Sequence, residues 1–150
     1  MAADAGNNPE TDLVISRVLN APRAALWRAW TDPELLRQWW CPQPWTTEVR
    51  AFDLRPGGAF HTFMQGPDGG SSDNPGSFLE IVPKQRLVFT SMLGAGWRPQ
   101  SPWLGFTAII TMEDEDAGRE GSRCNNRGPV AVSGRRANTE TRKTKTCDTA

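Results

Sequence analysis

The 150-residue sequence predicts one α+β domain: an antiparallel sheet of about six strands with two short helices after the first strand. Three observations predict it. Residues 22–45 hold five of the seven tryptophans, several of them at helical spacing. Five segments between Thr46 and Met112 are rich in β-branched and aromatic residues. Turns rich in Gly and Pro separate those segments. At this length the chain is one domain at most.

Residues 1–11 are polar and predict a disordered leader, with the domain proper over 12–114. Leu13 to Leu19 (LVISRVL) is a β-branched run and predicts the first strand. Pro22 suits the first turn of a helix, and Asn20 before it is a candidate cap. Leu26, Trp27 and Trp30 are three and four residues apart and share a helix face. Thr31-Asp32-Pro33 restarts the pattern: Thr31 or Asp32 caps, Pro33 opens, and Glu34 favours the positive helix end. Leu35, Leu36, Trp39 and Trp40 form the apolar stripe of this second helix, which Cys41-Pro42 ends. The tryptophans are either core or, for Trp39 and Trp40, one wall of a ligand cavity; composition does not separate the two.

Strand two is expected over 46–54, strand three over 59–64, strand four over 76–82, strand five over 86–93 and strand six over 103–112. Residues 65–75 are rich in Gly, Pro, Asp, Asn and Ser and predict an exposed hairpin loop. In strand six Leu104, Phe106, Ala108, Ile110 and Met112 alternate with Thr107 and Thr111, as in a half-buried antiparallel strand. Such a sheet needs cover on its apolar face, and two short helices are too little for it. A further helix is expected after residue 112, yet 113–150 contain no Leu, Ile, Met, Phe or Trp. From Arg119 onward eight Lys/Arg face three acids, a net of +5. That composition cannot offset the entropy of ordering and predicts a disordered basic tail over 115–150.

Seventeen basic and seventeen acidic side chains cancel, so no nucleic-acid or membrane partner is expected. No run of 18 apolar residues suggests a spanning helix, and the polar start is unlike a secretory signal, so a cytoplasmic location is expected. Cys41, Cys124 and Cys147 match no zinc or redox spacing; neither a metal nor a cofactor is expected. His61 is the single histidine, mid-strand between Phe60 and Thr62. As a general base it needs an acid partner, and Asp53 or Glu80 on other strands are the candidates. Glu48, Arg50, Asp53 and Arg55 alternate as a solvated strand face, and no nucleophile–base–orienter set emerges.

The segments VISRVLNAPRAALWRAWTDPELLRQWW, TTEVRAFDLRPGGAF, MQGPDG, FLEIVPKQRLVFTSML and WLGFTAIITMED, in this order over about 12–114, closely resemble the SRPBCC (START-like) family. More narrowly they resemble the branch related to the C-terminal domain of the activator of the heat-shock-protein-90 ATPase. The resemblance implies a helix-grip fold, in which a sheet wraps a long C-terminal helix around an apolar cavity. It implies a small apolar or aromatic ligand held by Trp39, Trp40, Phe52, His61, Phe89, Phe106 and Ile110. It also implies two other roles: a co-chaperone-like module with a chaperone partner, or a cyclase-like enzyme in which His61 acts on a polyketide. The family's final strand and amphipathic helix do not appear after residue 114. A shifted reading frame near 117–122 would produce that departure, and the product would then be truncated and inactive. Such a helix buries six to eight large side chains, about 10–20 kcal/mol gross at about 1.5–3 kcal/mol each. Against a net stability of about 5–15 kcal/mol, its loss predicts a marginal or associating chain.

Overall fold

The computed structural model describes residues 12–15, 17–114 and 124–126. The expected leader over 1–11 lies outside the described residues, as does the expected tail except for 124–126. The architecture is α+β. Strand β1 (Arg17–Leu19) precedes α1 (Arg23–Thr31) and α2 (Pro33–Trp39). Then come β2 (Thr46–Phe52), β3 (Ala59–Gln65), β4 (Ser71–Val82) and β5 (Arg86–Thr90). A short hairpin follows, β6 (Leu93–Gly94) with β7 (Arg98–Pro99), and then β8 (Thr107–Thr111). The five longest strands form one antiparallel sheet in the order β2-β3-β4-β5-β8. Strands β9 (Glu113–Asp114) and β10 (Cys124–Asn126) make a second small sheet with β1, in the order β1-β10-β9. Sequence reasoning did not anticipate a strand at 124–126.

The two helices form where local chemistry asks for them. Asp32 is the cap of α2: its carboxylate accepts from the Glu34 amide at 3.0 Å, beside Pro33 in the first turn. The Thr31 hydroxyl instead donates back to the Trp27 carbonyl at 2.7 Å. At α1 the cap position is Pro22, with no side-chain hydrogen bond, so Asn20 does not cap it.

The core lies between the helices and one sheet face. Phe60, Phe78, Leu87, Phe89, Ala108, Ile110, Met112 and Leu36 are buried there, and Leu26, Trp27, Trp30 and Trp40 pack against them. Register explains the membership. Phe78 stands opposite Phe89, Phe89 opposite Ala108 and Leu87 opposite Ile110, so these side chains emerge on one face. The predicted alternation of strand six holds for Ala108, Ile110 and Met112.

Several boundaries differ from the sequence expectation: strand two ends at Phe52 and strand five at Thr90, both early, and three others differ more. The first strand is short and exposed: Leu13, Val14, Ile15, Val18 and Leu19 all face solvent. Strand six begins at Thr107, because 103–106 leave the ladder. Strand four begins at Ser71, six residues' worth of pairing with β3 before Ser77 meets β5. Pro75 is tolerated because β4 has no second neighbouring strand there. The hairpin loop therefore shrinks to 66–70.

Candidate ligand cavity

Leu36 is completely buried and anchors α2 on the sheet. One turn on, the Trp40 amide still donates to the Leu36 carbonyl at 3.0 Å, which sets Trp40 over the sheet. Its indole meets Phe60 edge-on at 5.4 Å and Phe89 at 6.0 Å between ring centroids. Beside these rings opens a cavity of about 290 Å³. Phe60, Thr62 and Met64 of β3 and Asn74, Pro75 and Gly76 of β4 line it, with Phe89 and Thr90 of β5. Gly76 lacks a side chain where a Cβ would stand 2.5 Å from the Thr90 carbonyl oxygen. The close approach of β4 to β5 requires that glycine.

The far wall is the irregular stretch 103–106, which contributes Trp103, Leu104 and Phe106. It is tied down by hydroxyls. Ser91 Oγ donates to the Leu104 carbonyl at 2.8 Å and accepts from the Phe106 amide at 2.9 Å. Thr90 Oγ1 donates to the Phe106 carbonyl at 2.9 Å. Gln100 Nε2 clamps the same region, donating to the carbonyls of Pro75 (2.8 Å) and Ser91 (2.9 Å). Trp103 is 71% exposed and stands at the rim, its Nε1 3.4 Å from Asn74 Oδ1. On its other side lies a polar hollow of about 280 Å³ lined by Asp73, Gln100 and Ser101 among others. Among the described residues no charged side chain lines the apolar cavity.

The expected site residues divide. Trp40, Phe89 and Phe106 converge on the cavity. Trp39, the neighbour of Trp40, is 42% exposed; its indole N–H donates to the Ala29 carbonyl at 3.1 Å and its ring meets Trp30 at 4.6 Å. Phe52 packs in the core against Phe60 (5.7 Å) and Phe78 (5.2 Å). Ile110 is buried opposite Leu87. His61 follows Phe60 in β3 and so emerges on the opposite sheet face. There its Nε2 lies 2.6 Å from Asp73 Oδ1, and Arg50, stacked 3.8 Å over the Phe63 ring, reaches the same oxygen at 3.4 Å. The acid beside His61 is therefore Asp73; Asp53 pairs with Arg55 and Glu80 with Arg86.

Of the lining, sequence reasoning missed Phe60, Thr62 and Met64 of β3, the stretch 74–76 of β4, Thr90 and Ser91, and Trp103 and Leu104. Thr62 and Met64 carried a usable signal, since they share strand parity with Phe60. Among the described residues no three His, Cys, Asp or Glu side chains converge as a metal site, and no helix is long and apolar enough to cross a membrane.

The family described as Activator of Hsp90 ATPase homolog 1-like protein matches residues 20–127. A protein of Nitrosomonas europaea, known from a crystal structure, is 38% identical with a TM-score of 0.72, over 85% of this chain and 77% of that one. A Mycobacterium smegmatis protein is 25% identical with a TM-score of 0.62, over 87% and 78%. A Chromobacterium violaceum protein is 25% identical with a TM-score of 0.64, over 83% and 79%. Among curated proteins none matches the chain.

Proposed function

Given that the chain belongs to the Activator of Hsp90 ATPase homolog 1-like family, within the SRPBCC fold, we propose that it binds a small apolar or aromatic ligand in the cavity beneath Trp40. One observation carries this: a hollow of about 290 Å³ walled by Trp40, Phe60, Phe89, Leu104 and Phe106, with a few polar groups among them. A volume near 300 Å³ is at the small end of ligand sites, and an apolar wall with few polar groups is their usual make-up. The test is a titration with tetralin, an apolar bicyclic probe, followed by tryptophan emission. A saturable blue shift is expected, as ring replaces solvent beside Trp40 and Trp103. Leu104→Trp fills the far wall and abolishes the shift. No saturable change in the wild-type protein up to the probe's solubility limit refutes the reading.

A second reading, a protein-interaction module acting on a heat-shock-protein-90-type ATPase, is supported by the exposed apolar side chains of Met92, Trp97 and Trp103. It predicts saturable stimulation of such an ATPase that Trp97→Ala weakens. A flat dose response counts against it. Neither reading assigns a reaction to the chain.

A further inference from the structure

Resting on the cavity reading above, we infer that the ligand carries a neutral hydrogen-bond acceptor, such as an aryl ketone oxygen, received by Thr62 and Asn74. These two residues stand directly opposite each other in the β3–β4 register, and both line the cavity. Cross-strand partners present their side chains side by side, so the two polar groups form one spot in an otherwise apolar wall.

The hydrogen-bond inventory gives that spot its chemistry. Asn74 Nδ2 lies 3.1 Å from the Ser72 carbonyl oxygen, which can only accept. The amide nitrogen must therefore face it, which settles the orientation of the group. Asn74 Oδ1 is already engaged, by Ser72 Oγ at 3.1 Å and by Trp103 Nε1 at 3.4 Å. An amide nitrogen has two N–H bonds, and the Ser72 carbonyl takes one. The second is uncommitted among the described residues. Thr62 is 2% exposed, and its hydroxyl has no hydrogen-bond partner among the described residues. Two adjacent groups able to donate thus border the apolar hollow without a protein partner among the described residues. A single acceptor oxygen satisfies both. That oxygen is neutral because no cation lines the cavity among the described residues, and a carboxylate there would lose its hydration without a counter-charge.

Size narrows the class further. At an interior packing density of ~0.74, the cavity accommodates on the order of 200 Å³ of ligand atoms. That fits a flat body of about two or three fused rings between Trp40 and Phe106.

The test compares tetralin with 1-tetralone, the same bicycle carrying one carbonyl. Dissociation constants are measured by NMR titration of the indole N–H signals, for the wild-type chain, Thr62→Val and Asn74→Leu. The ketone is better hydrated than the hydrocarbon, so the readout is the affinity ratio of the two probes in each protein, in which that difference cancels. The ratio is expected to move at least about fivefold towards tetralin in each variant. Thr62→Val conserves volume, so it decides the matter should Asn74→Leu fail to fold. Both probes binding with an unchanged ratio in Thr62→Val overturns the inference and leaves the cavity reading in place. Neither probe binding the wild-type chain overturns both.

Discussion

Leu36→Ala tests the link on which the site depends, the attachment of α2 to the sheet. Leu36 is the one buried residue of either helix, and Trp40 hangs one turn beyond it. Leucine-to-alanine changes at fully buried positions cost about 3–5 kcal/mol, part lost transfer energy and part residual cavity. A typical domain has only about 5–15 kcal/mol of net stability. At about 4–8 °C per kcal/mol for a domain near 100 residues, Tm should fall by about 12 °C or more. The internal control is Trp39→Ala. That change removes a larger side chain, but one 42% exposed, whose indole contributes one hydrogen bond, an edge-on contact with Trp30 and a tilted one with Trp40. Its cost should be about 1–2 kcal/mol. Urea unfolding followed by circular dichroism measures both, with an unchanged m-value required for the comparison. Leu36→Ala costing less than Trp39→Ala, or below about 1.5 kcal/mol, would refute the view that α2 is held through Leu36. The placement of Trp40 over the cavity would then lose its cause.

Ser77 is completely buried and its Oγ has no hydrogen-bond partner among the described residues, so Ser77→Ala should leave stability unchanged or raise it by about 1 kcal/mol. A clear drop in the urea midpoint contradicts that. Gly57 sits at φ +77°, and a Cβ there would stand 2.6 Å from Trp97 Nε1. Gly57→Ala should therefore cost about 1–3 kcal/mol and displace the β6–β7 hairpin, visible as a shifted Trp97 indole signal; a neutral change sinks the argument. Asp73 is shared by His61 and Arg50 on the outer sheet face, but its side chain is 52% exposed. Asp73→Ala should cost no more than about 1 kcal/mol in equilibrium unfolding, and a loss above about 2 kcal/mol would mean that this cluster is structural.

The helices were legible because their information is local. The spacing of Leu26, Trp27 and Trp30 sets one face, and Asp32-Pro33 closes one helix and opens the next within three residues. The turn at 83–85 and the alternation through Ala108, Ile110 and Met112 were legible for the same reason. Tertiary structure decided the rest. Ser71 to Pro75 has the composition of a loop, yet it is strand because β3 offers a partner along its whole length. The apolar run at 13–19 has the composition of a core strand, yet its described apolar residues are 37–55% exposed, since among the described strands only β10 lies beside β1. Trp39 and Trp40 are adjacent and chemically identical, but about 100° of helix rotation separates them, and only the sheet's position determines which one covers the cavity. The cavity itself is a volume that strands distant in sequence fail to fill. Local periodicity is written between near neighbours in the chain; an unfilled space depends on register and on the approach of β4 to β5, and neither appears in composition.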